Sequence, residues 1–310
     1  MKIIFFGTPA FSTPFLSALI NDESVEVLAA VTQPDKPSGR GGSVTPCAVK
    51  VLAEEHGIKV LQPLSLKKDP DIQKQLEELQ ADVSIVVAYG KLIPQSILDI
   101  PKHGTINVHP SLLPLHRGPS PMQWAIREGD SETGVTIMVL DAGMDTGPLL
   151  ASEHLSLDLE ETYGSLVTKV HAVGPTLLLN TLKRFVAGDI VAVDQDDSKA
   201  TLTTLLSRDD GRVVWDEGIN AIERKVRAYQ AWPGVWTMWG DERLKLSSVR
   251  VSDFLADVPA GTVTIHEGRM FVDSVDGTLE ILEVQREGKP KMKAEAFIKG
   301  NASIDGVQLV

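Results

Sequence analysis

The chain of 310 residues carries 42 Asp and Glu against 30 Lys and Arg, a formal charge of -12, with 43 % hydrophobic and 5 % aromatic residues. That length allows two domains and a sizeable core, while the net charge excludes a general nucleic-acid binder, whose surface must be basic to neutralise phosphates. Cys47 is the single cysteine, so neither an intrachain disulfide nor a cysteine-based metal site is available. No apolar run approaches the roughly 20 residues of a membrane span. The Gly-Thr-Pro turn in MKIIFFGTPAF falls where a signal peptide would stay apolar, so a cytoplasmic protein is expected.

In chain order, short β-branched runs alternate with helix-like segments. KIIFF is followed by FSTPFLSALI with apolar spacing of four, then VEVLAAVTQ, PCAVKVLAEEHG, KVLQP, DIQKQLEELQ and VSIVVAY. That rhythm predicts a parallel sheet with crossover helices. GTINVH, a Pro-rich loop, PMQWAIREGD, the strand GVTIMVL and a long amphipathic helix around EETYGSLVTKVHAVGPTLLLNTLKRFVAG complete an α/β domain over 1–188. The polar, acidic stretch 189–205 lacks periodicity and reads as a linker. Over 206–310 a helix pattern precedes short strands divided by Gly and Asp turns, which predicts a small β-barrel. This last part holds 14 Lys and Arg against 17 Asp and Glu, only -3 of the -12, and REGKPKMKAEAFIK within it is a basic island.

Asn107 and His109 in INVHPSLLP share one face of a strand, because side chains alternate with period two. They lie at the strand's carboxyl end, where open α/β sheets bind their ligands. Taken alone, the pair fits a hydrogen-bonded core histidine beside a turn-forming Asn better than it fits a site. Downstream, LDAGMDTGPLL ends a second apolar strand with Asp141 and Asp145 among glycines. A carboxylate there would reach the imidazole, raise its pKa and keep it charged, so that Asn, His and Asp together serve acyl transfer. An aspartic protease needs two Asp-Thr-Gly segments sharing a proton, and only one is present.

INVHPSLLP with a downstream DTG resembles the folate-dependent formyltransferases. FFGTPAF at the start, TQPDKPSGRGG after the second strand, and the WPGVW and EGKPKM stretches narrow the likeness to those members that formylate methionyl initiator tRNA. The resemblance runs the full length in the right order. It implies a Rossmann-like, mostly parallel formyltransferase domain followed by a smaller OB-like β-barrel. It implies catalytic roles for Asn107, His109 and Asp145, with 10-formyltetrahydrofolate as formyl donor, no metal, and N-formylmethionyl-tRNA as the product used in translation initiation. Backbone groups of Ser111, Leu112, Leu113 and Pro114, and of Tyr89, Gly90, Lys91, Leu92 and Ile93, would hold the pterin, with the Asp141 to Asp145 loop as the opposite wall.

For the tRNA, the resemblance points to Arg40 in PDKPSGRGG, a stretch with too many Pro and Gly for a regular element. It also points to Lys289, Lys291 and Lys293, together with Arg286 and Lys299, as a phosphate-tracking surface that the residues alone would equally read as a solvated face. Arg224, Lys225 and Arg227 are further candidates on a helix, and Trp232 and Trp236 are expected in the barrel core. The chain departs from the family at Leu115 and His116, where a basic and an aromatic residue are usual; Arg117, Gly118 and Pro121 still match, and His116 is expected to be exposed. A sugar-nucleotide N-formyltransferase or a formyltetrahydrofolate hydrolase would share the trio. No protein partner is implied, so a monomer is expected, with no membrane attachment.

Overall fold

The run KIIFFG forms strand β1 (Lys2–Gly7), buried at every position after Lys2. A strand so uniformly apolar is one covered on both faces, the situation of a central strand in a parallel sheet. The fold, from a computed structural model, is described here for residues 1–38 and 43–310. Along the chain follow α1 (Thr13–Ile20), β2 (Glu26–Val31), β3 (Lys36–Ser38), β4 (Ser43–Thr45), α2 (Ala48–Glu55), β5 (Lys59–Leu61), α3 (Pro70–Glu78), β6 (Val83–Val87), α4 (Gln95–Leu98), β7 (Thr105–His109), α5 (Pro121–Glu128), β8 (Glu132–Val139), β9 (Leu149–Ser156) and α6 (Tyr163–Ala187).

Seven of these strands make one sheet in the order β5-β2-β1-β6-β7-β8-β9. The first five run parallel, while β8 is antiparallel to β7 and β9 to β8. The chain winds outward from β1 to β2 and β5, then returns to place β6 on the other side of β1. The strand order therefore reverses between β1 and β6, and their carboxyl ends, with that of β7 alongside, open the crevice where such sheets bind ligands. The helices follow local rules. Asp69 caps α3 by accepting from the Asp71 and Ile72 amides at 3.1 and 3.3 Å. Val170, Leu178 and Leu182 form the fully buried stripe of α6. At Gly174 that helix approaches α1 so closely that a Cβ would stand 2.7 Å from the Phe15 ring.

Two elements differ from expectation. The Pro- and Gly-rich stretch after β2 is not wholly irregular, because β3 and β4 pair antiparallel, Lys36 with Thr45 and Pro37 with Val44. A two-stranded ribbon of three residues a side tolerates proline because it has edges on both sides. Strand β9 went unforeseen, since half-exposed LLASEHLS shows neither an apolar run nor a strict alternation.

By contact, the chain forms two units, one of residues 1–121, 132–156 and 167–203, the other of 122–131, 157–166 and 204–310. The stretch expected as a linker is thus part of the first unit over 189–203. It bonds there through Val193 to Leu149 and through Thr201 and Thr203 to the backbone of residues 114–117.

The second unit adds α7 (Ile219–Ala228), β10 (Val235–Trp239), β11 (Glu242–Ser252), β12 (Val263–His266), β13 (Arg269–Ser274), β14 (Gly277–Arg286), β15 (Met292–Lys293) and α8 (Ala294–Gly300). Its antiparallel sheet runs β10-β11-β14-β13-β12, with β15 on β14. The final residues close it. Val310 exchanges hydrogen bonds with Met238 of β10, while the Val263 amide donates to Val307 and Gly306 donates to Val263 in β12. Closure removes the free edges of the barrel. Among the described residues, no helix is long and apolar enough to cross a membrane.

Candidate active site

Strand β7 is buried along its whole length, and Asn107 and His109 emerge at its carboxyl end with 9 % and 4 % of their surface exposed. Among the described residues the Asn107 amide has no hydrogen-bond partner, so its NH2 is left for a ligand. His109 is fixed at one edge: its Nε2 lies 3.0 Å from the His116 carbonyl oxygen. A carbonyl only accepts, so Nε2 carries the proton and Nδ1 holds the lone pair of the neutral ring. Nδ1 faces the Asp145 carboxylate at 3.7 Å, close enough for charge attraction and too long for a hydrogen bond.

Burial and the carboxylate pull the imidazole in opposite directions. Burial is the larger effect and sets His109 below the ordinary value of 6.5, while Asp145 and the His116 carbonyl pull it up. That balance favours the neutral ring over the charged one suggested by the sequence, because burial at the end of β7 keeps the cation from water. The ring waits neutral, with a carboxylate placed to stabilise it once it takes a proton.

The loop after β7 is braced throughout. Ser111 Oγ donates to the Leu115 carbonyl at 2.6 Å, Thr136 Oγ1 donates to the Ser111 carbonyl at 2.7 Å, and the Leu113 amide donates to Thr136 Oγ1 at 3.3 Å. Leu113–Pro114 is a cis peptide bond. His116, expected on the surface, is instead buried in the left-handed region at φ 57°, and its amide donates to Thr201 Oγ1 at 2.7 Å. Turning inward there is what brings its carbonyl to His109. Leu115 keeps 41 % exposure.

At the end of β6 the Tyr89 ring points inward, edge-on to Phe6, and burial pushes its hydroxyl up to about 12. Its carbonyl accepts from Thr8 Oγ1 and Gln33 Nε2. The main chain of Gly90, Lys91 and Leu92 makes no backbone hydrogen bond among the described residues, and Leu92 is 86 % exposed. Ile93 is half-buried beside them. Free amides and carbonyls next to an exposed apolar side chain suit a planar heteroaromatic ligand. Asp141 instead ties its own loop, accepting from the Gly143 amide at 3.0 Å and from Thr146 Oγ1 at 2.8 Å.

The basic candidates divide. Lys289 and Lys291 are exposed on the β14–β15 connection and Lys293 at the end of β15; Lys291 pairs with Glu283 at 2.7 Å, while Lys289, Lys293 and Lys299 have no carboxylate within 4 Å among the described residues. Arg286 grips Glu242 with two bonds of 3.0 and 2.7 Å. The helix candidates are structural: Lys225 is buried against Glu217 at 2.8 Å, Arg227 holds Glu223 and the Glu161 carbonyl, and Arg224 donates to the Arg127 carbonyl. Each of these cations satisfies an acceptor within its own unit and is not a free phosphate contact. Trp236 is buried as expected, but Trp232 keeps 52 % exposure. Arg40 lies outside the described residues.

Several residues that the sequence did not mark as functional also build the site. Gly118 donates its amide to Asp145 Oδ2 at 2.8 Å, and a Cβ on it would stand 2.8 Å from the Thr203 carbonyl. Gln195 donates to the Asp145 and Gly147 carbonyls and accepts from Arg117. An amide in an acidic irregular stretch carries no periodic signal, so nothing in the sequence pointed to it.

This geometry has relatives. The family described as formyl transferase matches residues 1–182, and that described as formyl transferase, C-terminal domain, matches residues 205–302. A methionyl-tRNA formyltransferase from Geotalea daltonii is 41 % identical over 311 residues, covering 100 % of this chain and 98 % of the relative. One from Roseiflexus castenholzii is 42 % identical over 310 residues, covering 100 % and 99 %. Among solved structures, an N-formyltransferase from Helicobacter canadensis in complex with folinic acid and dTDP-3-aminofucose aligns with a TM-score of 0.67 over 92 % of this chain and 99 % of its own, at 15 % identity, a likeness of fold. A chain that matches both domains in order, and that aligns end to end with such relatives, belongs to the formyl transferase family, among its methionyl-tRNA formyltransferases.

Proposed function

We propose that Asn107, His109 and Asp145 carry the formyl transfer, from 10-formyltetrahydrofolate to the amino group of methionyl initiator tRNA. The protein is a formyl-transferring enzyme of a folate-using family. The observation that carries the residue assignment is the convergence at one strand end of an unpartnered Asn amide, a buried imidazole and a carboxylate 3.7 Å from its Nδ1.

As the amine nitrogen bonds to the formyl carbon, the formyl oxygen gains negative charge, and the Asn107 amide donates to it. The proton shed by the amine passes, directly or through one water, to His109 Nδ1. Asp145 then stabilises the imidazolium, whose charge adds to that felt by the oxygen. As the bond from the formyl carbon to the donor nitrogen breaks, His109 returns the proton to that nitrogen, and the ring is neutral again. No proton is gained or lost overall. The exposed main chain at Gly90 to Leu92 and the braced Ser111 to Pro114 loop would hold the folate, with the Asp141 to Asp145 loop opposite.

For the tRNA, Lys289 and Lys293 are the free cations best suited to phosphates, with Lys291 available at the loss of an exposed ion pair. Arg40 is assigned to the acceptor end. The enzyme would work as a cytoplasmic monomer.

The test is formyl transfer to charged initiator tRNA, set beside uncharged tRNA, an amino-sugar nucleotide and water. Transfer to charged tRNA alone is the expected result. Sugar formylation or formate release, with charged tRNA ignored, would overturn the acceptor.

A further inference from the structure

Asp145 sits in the left-handed region at φ 55°, a conformation that a residue with a Cβ holds only when its surroundings dictate it. What dictates it comes from the segment that composition marks as a linker. Val193 exchanges backbone hydrogen bonds with Leu149 at 2.8 and 2.9 Å, which sets Gln195 against the loop between β8 and β9. The Gln195 amide nitrogen donates to two carbonyls that bracket the turn, Asp145 at 2.9 Å and Gly147 at 2.7 Å. The turn is packed tightly as well, because a Cβ on Gly147 would lie 1.9 Å from the Val139 carbonyl oxygen.

Gln195 is itself oriented. Its oxygen accepts from Arg117 Nε at 3.0 Å and Nη2 at 2.8 Å, and Nη2 reaches Asp197 at 2.7 Å. An arginine donates only, so the amide cannot flip, and its NH2 must face the carbonyls. The neighbours of that same Arg117 touch the reacting pair: the His116 carbonyl accepts from His109 Nε2, and the Gly118 amide donates to the Asp145 oxygen that faces Nδ1. Residues 116–118 thus hold both partners from one side, and Gln195 completes the ring from the other.

We propose that Gln195 is a positioning residue for the reaction, holding the Asp145 loop in the backbone conformation that turns its carboxylate toward His109. This rests on the assignment of Asp145 to the chemistry. The role belongs to the NH2 donor and not to the Arg117 pairing, which separates it from a merely structural one.

Two variants divide these parts. Gln195→Glu keeps an acceptor for Arg117 but cannot donate to the two carbonyls; Gln195→Met keeps the length and loses both. With both substrates saturating, kcat should fall by about 10- to 100-fold in each, the range expected of an ångström-scale misplacement, while KM for folate and for charged tRNA stays within about twofold. Wild-type kcat in either variant would overturn the proposal, as would a raised KM at unchanged kcat. Should Gln195→Met fail to fold, Gln195→Glu carries the test alone, since its arginine pairing is intact. Wild-type enzyme that ignores methionyl-tRNA would overturn the acceptor reading alone, because the same comparison can then be read as formate release from 10-formyltetrahydrofolate.

Discussion

The carboxyl end of β7 and the β14–β15 connection carry the two halves of the proposed activity and are built on opposite principles. Around His109, each group is held by others: its Nε2 by a carbonyl, its facing carboxylate by the Gly118 amide, and the loop of that carboxylate by Gln195. Around Lys289 and Lys293 the side chains stand exposed with no carboxylate within 4 Å among the described residues. Bond rearrangement needs geometry fixed to fractions of an ångström before the reactants arrive. Attraction to phosphate acts over a Debye length and tolerates a mobile ammonium. The contrast predicts where single substitutions are costly and where they are cheap.

The largest effect is expected from His109→Ala, which should lower kcat on the order of 100-fold or more with little change in substrate binding. A rate near wild type would remove the imidazole from the mechanism and with it the case for a preorganised centre. Next comes Asp145→Asn, which keeps shape and removes charge, and should cost about tenfold or more in kcat. It also has a spectroscopic signature. Burial holds His109 below 6.5 and the carboxylate opposes it, so removing the carboxylate should move the titration lower still, as NMR of the ring protons would show. Because the folded ring binds its proton later than the unfolded one, this histidine costs no stability above about pH 6.5 and an increasing amount below it. An upward shift in the variant would contradict the sign of the pairing.

The lysines should behave differently in kind. Lys289→Ala with Lys293→Ala should raise KM for charged tRNA by roughly 3- to 10-fold at unchanged kcat, and reduce the salt dependence of binding by about one to two units of log–log slope. A loss of kcat instead would place this surface in the chemistry and dissolve the contrast. The smallest effect is a control away from both regions. Asp69→Ala removes the cap of α3 and should lower stability by about 1 kcal/mol in chemical denaturation, with kcat untouched. A matching loss of kcat would show that the centre depends on distant helix stability.

How much of this was legible follows from which interactions are local. The alternation of apolar runs and amphipathic helices specifies β1, β2, β6 and β7 because each must bury its own surface, and the period records which face. Asn107 and His109 were visible as polar residues two apart in such a run, and Asp145 as a carboxylate in a Gly-rich strand end. Strand β9 was not visible, since an edge strand is half solvated and needs no apolar pattern. The charge on Lys225 and Arg227 misled because composition records charges and not their partners, and Glu217 and Glu223 had already taken them.

The amino-acid sequence by itself determined the sheet class and most of the element order, and it marked Asn107, His109 and Asp145 as candidates for the proposed chemistry, because these depend on periodicity and on residue chemistry. Only the tertiary structure decided the burial and partners of His109, the inward turn at His116 and the placement of Gln195 against the Asp145 loop. Those depend on burial and on hydrogen bonds across 7, 85 and 50 residues of chain. Distances of that kind exist only after the backbone has folded, and no local pattern encodes them.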